Sequence, residues 1–239
     1  MGWIGTAHSH IVSGLRLGRG MVAKRSASEP PAKPLVLFEF EACPYCRKVR
    51  EVMSELDLSY RCHPCARGSR HRAELIERAG KAQFPYLIDP NTGVEMYESE
   101  DITTYLLDTY GSGRTMASRA AGPLNSFGSG LASGISPWGR FARKTVRTRP
   151  SPDASLILYN FEASPYCRVV REELNALDLI HEVRNVAKGG ARREELVALG
   201  GKMQVPFLSD PNTGSTLYES EDIVAYLRKT YGPIAQPEK

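Results

Sequence analysis

Short apolar runs alternate along this chain with stretches whose apolar residues recur every three or four positions. Leu35-Val36-Leu37-Phe38 and Leu156-Ile157-Leu158-Tyr159 are runs of the length a buried strand needs. After each, the spacing changes. Cys46, Val49, Met53 and Leu56, and likewise Cys167, Val170, Leu174 and Leu177, step by 3, 4 and 3 and predict an amphipathic helix. Pro44 and Pro165 fall at the first helical position, where a missing N–H costs nothing. Leu58 to Cys65 predicts a second strand, and Arg72–Arg78 and Arg193–Leu199 predict short helices. Pro85-Tyr86-Leu87-Ile88 and Pro206-Phe207-Leu208 open a third strand. Asp89-Pro90-Asn91-Thr92-Gly93 is a turn, because Pro fixes φ while Asn and Gly tolerate φ > 0, and it recurs as Asp210-Pro211-Asn212-Thr213-Gly214. A fourth short strand leads to Ser99, read as an N-cap, and to a helix ending near Gly111. The predicted order is strand–helix–strand–helix–strand–strand–helix, twice.

The recurrence is literal. Residues 35–111 and 156–232 align without a gap and share 41 identical residues in 77 positions. Each residue can therefore be compared with its counterpart 121 positions away. The expected organisation is a basic arm over 1–34, a first α/β domain over 35–111, a basic linker over 112–155, a second α/β domain over 156–232 and a tail over 233–239. Two such units fit a chain of 239 residues.

Composition is ordinary for a soluble globular protein, and no apolar run reaches the 18 residues of a membrane span. The net charge of +4 becomes informative only when divided: the two arms carry +4 and +6, the repeats −4 and −2. A nucleic-acid role read from the overall basic balance is excluded on this distribution, and the arms lack the interleaved aromatics of a single-strand binder. The arms are expected to pack on the acidic repeats or stay solvated. Val12-Ser13-Gly14, Gly18-Arg19-Gly20 and Lys24-Arg25 are echoed by Ala132-Ser133-Gly134, Gly139-Arg140 and Arg143-Lys144. This echo argues for mature architecture and against a removable transit segment. Pro137, Trp138 and Phe141 of the linker are expected to pack between the domains. Five cysteines with one redox-type pair point to a reducing compartment, the cytoplasm, or the plastid stroma in a photosynthetic organism.

The chemistry gathers where the predicted helix begins. Cys43-Pro44-Tyr45-Cys46 has the spacing of a dithiol redox site, whereas its counterpart is Ser164-Pro165-Tyr166-Cys167. A thiol at a helix N-terminus meets unpaired N–H groups, which can lower its pKa from about 8.5 into the range of roughly 3.5–7.5. Cys43 is therefore the expected nucleophile. Cys46, one turn on, is either the resolving thiol or a packing residue on the apolar stripe, and chemistry through Cys43 alone stays open. Cys62-His63-Pro64-Cys65 offers a second C-x-x-C, but its counterparts Val183 and Val186 mark positions that accept a buried small hydrophobe, so no metal is expected.

With its C-P-Y-C helix start, its proline-led third strand and a Glu-Ser pair before the last helix, each repeat resembles a thioredoxin fold of the glutaredoxin and glutathione S-transferase N-terminal-domain type. The pairing of two such units resembles tandem proteins of bacterial or plastid origin. The resemblance implies an α/β architecture in which each domain is a four-stranded mixed sheet flanked by helices. It implies cis bonds before Pro85 and Pro206, and backbone at Phe84 and Val205 that pairs with the cysteinyl part of glutathione. Lys81-Ala82-Gln83-Phe84-Pro85 and Lys202-Met203-Gln204-Val205-Pro206 resemble the glutathione-site segment of serine-type transferases. Glu98-Ser99 and Glu219-Ser220 would hold the γ-glutamyl group. The implied glutathione-binding set is Tyr45, Gln83, Phe84, Pro85, Glu98 and Ser99, with Ser164, Tyr166, Cys167, Gln204, Val205, Pro206, Glu219 and Ser220. Arg67, Arg70, Arg72, Lys188, Arg192 and Arg193 either meet the glycyl carboxylate or form a solvated face.

The leading expectation is a glutathione-dependent thiol-disulfide oxidoreductase with Cys43 and Cys46 catalytic. Its partners would be glutathione and a disulfide-bearing protein or small molecule. A serine at 164 cannot form a mixed disulfide, so the second repeat is expected to bind glutathione or a partner. The alternatives are a glutathione transferase, which lacks here the usual all-helical domain for a hydrophobic co-substrate, and a non-catalytic glutathione-binding sensor or scaffold. Two units of one fold could also form a pseudo-dimer within the chain, or a homodimer.

Overall fold

A computed structural model of the chain describes residues 20–23, 30–111 and 151–233. Most of both basic arms, with Pro137, Trp138 and Phe141, lies outside the described residues. In the first repeat the elements run β1 (Leu35–Glu39), α1 (Pro44–Glu55), β2 (Tyr60–Pro64), α2 (His71–Ala79), β3 (Tyr86–Asp89), β4 (Val94–Met96) and α3 (Ser99–Tyr110). The second repeats them as β5 (Leu156–Asn160), α4 (Pro165–Ala176), β6 (His181–Asn185), α5 (Arg193–Gly200), β7 (Phe207–Asp210), β8 (Ser215–Leu217) and α6 (Ser220–Tyr231). In each, the first strand runs parallel to the second and antiparallel to the third, giving the mixed four-stranded sheet of a thioredoxin-like unit.

Alternation along β1 splits the core. Leu35 and Leu37 face α1 and α3 and pack with Val49, Met53, Leu56, Ile102 and Leu106. Val36 and Phe38 face the other way, toward Leu75 of α2 and Tyr86. Leu156 and Leu158 against Ile157 and Tyr159 repeat the division. The same alternation explains the second C-x-x-C. On an extended chain, an offset of three sends Cys62 into one core and Cys65 into the other, so the two sulfurs lie on opposite faces of the sheet.

The turn read from sequence has a definite task. The Asp89 carboxylate accepts from the hydroxyls of Tyr105 and Tyr110 and from the Asn91 backbone N–H. Asn91 in turn exchanges two hydrogen bonds with the Lys33 backbone, at 2.9 and 3.0 Å. Asp210, Tyr226, Tyr231, Asn212 and Ala154 repeat the arrangement. Gly93 and Gly214 close these turns at φ +76° and +70°. The last helices begin one residue earlier than the sequence suggested: the N-caps are Glu98 and Glu219, and Ser99 and Ser220 are the first helical residues.

The two sheets are one. β2 pairs antiparallel with β6, giving eight strands in the order β4-β3-β1-β2-β6-β5-β7-β8. The register is Tyr60↔Val183, Arg61↔Glu182 and Cys62↔His181. Since Glu182 is the counterpart of Arg61, a pseudo-twofold axis passes through that pair. Pairing also buries what would otherwise be two exposed sheet edges.

Side chains of α1 and α4 lock the junction. Arg50 donates to Glu162 at 3.0 and 3.2 Å, and Arg171 donates to Glu41 at 2.9 and 3.1 Å. These are reciprocal two-point pairs across the axis. Arg50 also meets Glu39, where Arg171 meets Asn160. The loops dock reciprocally as well. Asp57 accepts from the Ala191 N–H at 2.8 Å, and Asp178 accepts from the Arg70 N–H at 3.3 Å. Of the N-terminal arm, Met21 and Ala23 pair with the Lys188 backbone, and Gly20 lends its carbonyl to Ser54.

Candidate functional site

Cys43 is the N-cap of α1, with φ −76° and ψ 121°, and its sulfur accepts the Cys46 N–H at 3.2 Å. Ser164 caps α4 with φ −73° and ψ 120° and accepts the Cys167 N–H at the same 3.2 Å. One backbone mould thus holds a sulfur in one repeat and an oxygen in the other. The Cys43 thiol is held below its ordinary value by its hydrogen bond with the Cys46 side chain, and by the Cys46 N–H and the Arg50 charge, against the cost of burial. Burial pushes Cys46 well up, and Cys167 up as well. The pair is therefore polarised: of the two thiols, Cys43 ionises more readily and Cys46 less.

The other residues singled out from sequence lie ahead of the third strand and of the last helix of each repeat, and pair with one another. The bonds Phe84–Pro85 and Val205–Pro206 are cis. The residues before the prolines stay outside the ladder, which begins at Tyr86 and Phe207. Phe84 meets Phe40 edge to face, 5.8 Å between ring centres, and the Arg72 guanidinium lies over the Phe84 ring. Gln83 donates to Glu98, and Gln204 donates to Glu219. Glu98 and Glu219 hold φ of +65° and +59°, a conformation bulky residues adopt only when their surroundings force it. Each begins a helix whose first N–H groups, from Ser99 and Ser220 onward, have no partner within the helix.

Other residues fall elsewhere. Tyr45 and Tyr166 project outward, 59% and 47% exposed. Cys43 and Ser164 sit just below the surface, and Cys46 and Cys167 lie wholly in the core. Neither Arg70 nor Arg192 forms a solvated face. They bind the backbone carbonyls of Asp178 and Asp57, across the junction. Arg72 and Arg193 hold carbonyls of their own repeats.

Sequence reading missed the buried charges beneath the thiol. Glu39, Glu41, Arg50, Glu162 and Arg171 are all buried. The signal was present: Arg50 and Arg171 follow directly on the apolar positions Val49 and Val170 and are identical in both repeats, as are Glu41 and Glu162. Burial raises Glu39, which is also crowded by Glu41 and Glu162. For Glu41 the same burial cost is overcome by Arg171 and Arg50, which hold it at about 2.

Comparison with known proteins agrees with this architecture. The family model for the glutathione S-transferase N-terminal domain matches residues 37–115 and again 158–237, more than half of the chain. A glutathione S-transferase-like protein of Aspergillus fumigatus, tpcF, is 35% identical over 82 residues. That match covers 34% of this chain and 36% of the relative, so the chain spans about a third of the relative's length. Among solved structures, Leishmania TDR1, a trimeric glutathione transferase, overlays 84% of this chain and 67% of its own at 16% identity and a TM-score of 0.30.

Proposed function

Because this chain belongs to the glutathione S-transferase N-terminal-domain family, we propose that it is a glutathione-dependent thiol-disulfide oxidoreductase working through Cys43. The observation that carries this reading is the opposite displacement of the two thiols: Cys43 lowered at the helix N-terminus, Cys46 raised in the core. Cys43 as thiolate attacks the glutathionyl sulfur of a mixed disulfide. The bond to the substrate sulfur breaks, and that sulfur leaves as a thiolate that takes up a proton. Cys43 is then disulfide-bonded to glutathione. A free glutathione thiolate then attacks that disulfide, releasing Cys43 as thiolate and leaving oxidised glutathione, so each mixed disulfide consumes one free glutathione and returns the substrate sulfur as a thiol. Cys46 competes as the resolving thiol but must first lose a proton held in an apolar setting, which favours glutathione in that step.

The surrounding groups suit the ligand. Glu98 and Gln83 offer an acceptor and a donor to an α-amino acid, the orphan N–H groups of α3 offer donors to its carboxylate, and the free backbone at Phe84 offers a strand-like partner. The second repeat offers the same groups without a sulfur, which supports a role in binding glutathione or a partner. Ser164 also supports a second reading. Its oxygen accepts one N–H and keeps its own O–H to donate to a bound thiolate, the arrangement a conjugating transferase needs. No helix of the described residues is long and apolar enough to cross a membrane.

The test is reduction of a glutathionylated substrate by the purified chain. Cys43→Ser should abolish it and Ser164→Ala should leave it largely intact. Conjugation of an electrophile surviving Cys43→Ser but lost in Ser164→Ala would replace this reading with the transferase one.

A further inference from the structure

His63 stands on β2, and His71 and Glu74 stand one turn apart on α2. The strand and the helix bring them together on the face opposite the α1 core. The Glu74 carboxylate spans the two imidazoles, with His63 Nδ1 at 3.3 Å from one oxygen and His71 Nδ1 at 2.9 Å from the other. Potential donor atoms of the three residues all lie within 4.8 Å of one another. Both rings are fixed. His63 lies against Phe38 with 4.5 Å between ring centres, and the two imidazoles meet edge to face at 5.3 Å. The side chains of His63 and His71 are 14% and 4% exposed, whereas Glu74 reaches solvent at 47%. His71 Nε2 is buried without a hydrogen-bond partner.

The second repeat shows what this position otherwise requires. The counterparts of His63, His71 and Glu74 are Arg184, Arg192 and Glu195. There the Glu195 carboxylate is bonded to the Arg184 guanidinium and to the Tyr159 hydroxyl. In the first repeat Phe38 replaces Tyr159 and an imidazole replaces the guanidinium, so the permanent cation and the hydroxyl donor are both gone. The Glu74 carboxylate therefore stands between two imidazoles where its counterpart meets a guanidinium and a phenol hydroxyl.

We propose that His63, His71 and Glu74 form a three-donor site for a divalent cation of the zinc class, with the fourth position open to solvent beside Glu74. The donor set is two imidazoles and a carboxylate, the combination of open zinc sites. Imidazole-rich sets of this kind favour zinc, copper and nickel over magnesium or calcium. Donors on a tetrahedral zinc stand about 3.3 Å apart at bond lengths of about 2.0–2.1 Å. His63 Nδ1 and His71 Nδ1 stand 3.3 and 2.9 Å from different oxygens of the carboxylate, and donor atoms of the three residues lie within 4.8 Å of one another, so an ion entering between them would draw them toward that spacing. Bound there, the ion would staple α2 to β2 and hold the connecting loop, whose Arg70 docks on Asp178 of the second repeat. The site is independent of the Cys43 chemistry.

Zinc alone should be titrated into the chain carrying Cys43→Ser and Cys46→Ser, so that the helix-start thiols cannot compete, with bound metal counted after equilibrium dialysis. One zinc per chain is expected, together with a zinc-dependent rise in melting temperature. Adding His63→Arg, the residue the second repeat has there, or Glu74→Gln should weaken binding at least tenfold and remove the thermal shift. Glu74 is largely exposed, so its variant should fold even if the His63 variant does not. Cobalt in place of zinc should give ligand-field bands without a thiolate charge-transfer band. No zinc retained, unchanged affinity in Glu74→Gln, or a thiolate band from Cys62 or Cys65 would each overturn the proposal.

Discussion

Glu41→Gln isolates the junction between the repeats, and its size can be worked from the structure. The carboxylate is buried and takes two hydrogen bonds from Arg171, at 2.9 and 3.1 Å, with Arg50 3.2 Å away. Burial alone would raise its pKa, but the two guanidinium groups win and hold it at about 2, against 4.5 in the unfolded chain. A difference of that size corresponds to roughly 3 kcal/mol of stability near neutral pH, at about 1.4 kcal/mol per pH unit. Removing one partner of a buried pair costs about 3–5 kcal/mol by a separate route, and the low end applies here because Arg171 keeps Glu162 at 3.1 Å. Both lines converge on about 3 kcal/mol. The sign follows from the depressed pKa. The contribution is complete above about pH 4.5 and is lost as pH falls toward 2, with about half gone by pH 3.

The assay is urea unfolding of the wild-type chain and of Glu41→Gln at pH 7 and pH 3. The gap should be about 3 kcal/mol at the first and about half that at the second. Arg171→Met added to Glu41→Gln should cost less than the two single changes together, since the pair leaves as a unit. Glu39→Gln is the internal control. Glu39 also touches Arg50, yet burial raises its pKa, so its charge is not what the fold relies on, and the second repeat has Asn160 there. Its replacement should cost no more than about 1 kcal/mol. A loss below about 1 kcal/mol in Glu41→Gln, or a gap that does not narrow in acid, would refute the electrostatic account of the junction.

Two further outcomes are expected. Alkylation by iodoacetamide should modify Cys43 before Cys46. Its rate should rise with pH through a midpoint below that of a free thiol, because the hydrogen bond with Cys46 and the Cys46 N–H favour the thiolate; equal labelling of both by mass spectrometry would count against it. Asp89→Ala should lower stability by about 2–4 kcal/mol in thermal melts, because Tyr105, Tyr110 and Asn91 lose a shared acceptor, and Asp210→Ala should match it.

How much was legible in advance depended on the range of the interaction. The two-residue period of β1, the helical stripe through Cys46 and Leu56 and the Asp-Pro-Asn-Thr-Gly turn are set by neighbours in sequence, and each lies where the pattern placed it. The shift of the cap from Ser99 to Glu98 has a local cause that composition conceals. Glu98 adopts φ +65° and serves as N-cap without a side-chain capping bond, so the rule that selects serine did not apply. The long-range features were hidden for a different reason. Arg50 and Glu162 are 112 positions apart, and a buried Arg next to a helical stripe reads as solvated until its partner is known. His63 and His71 share no local spacing motif because one lies on a strand and the other on the following helix.

The register at the junction explains which residues the two copies share and which they do not. Position 61 faces its own counterpart, Glu182. Two identical copies meeting this way would set like charge against like, whereas copies joined in one chain can place Arg opposite Glu, and opposite charges directly across a ladder stabilise it. Three charged positions used reciprocally across the axis are identical in both repeats: Glu41 and Glu162, Arg50 and Arg171, Asp57 and Asp178. Changing one of these would leave a buried charge on the other side unmatched. Positions serving only their own repeat carry no such constraint. Cys43 has become Ser164, Glu39 has become Asn160, and His63 has become Arg184. The pseudo-symmetry therefore holds the two backbone moulds alike while leaving the chemistry inside each free to differ.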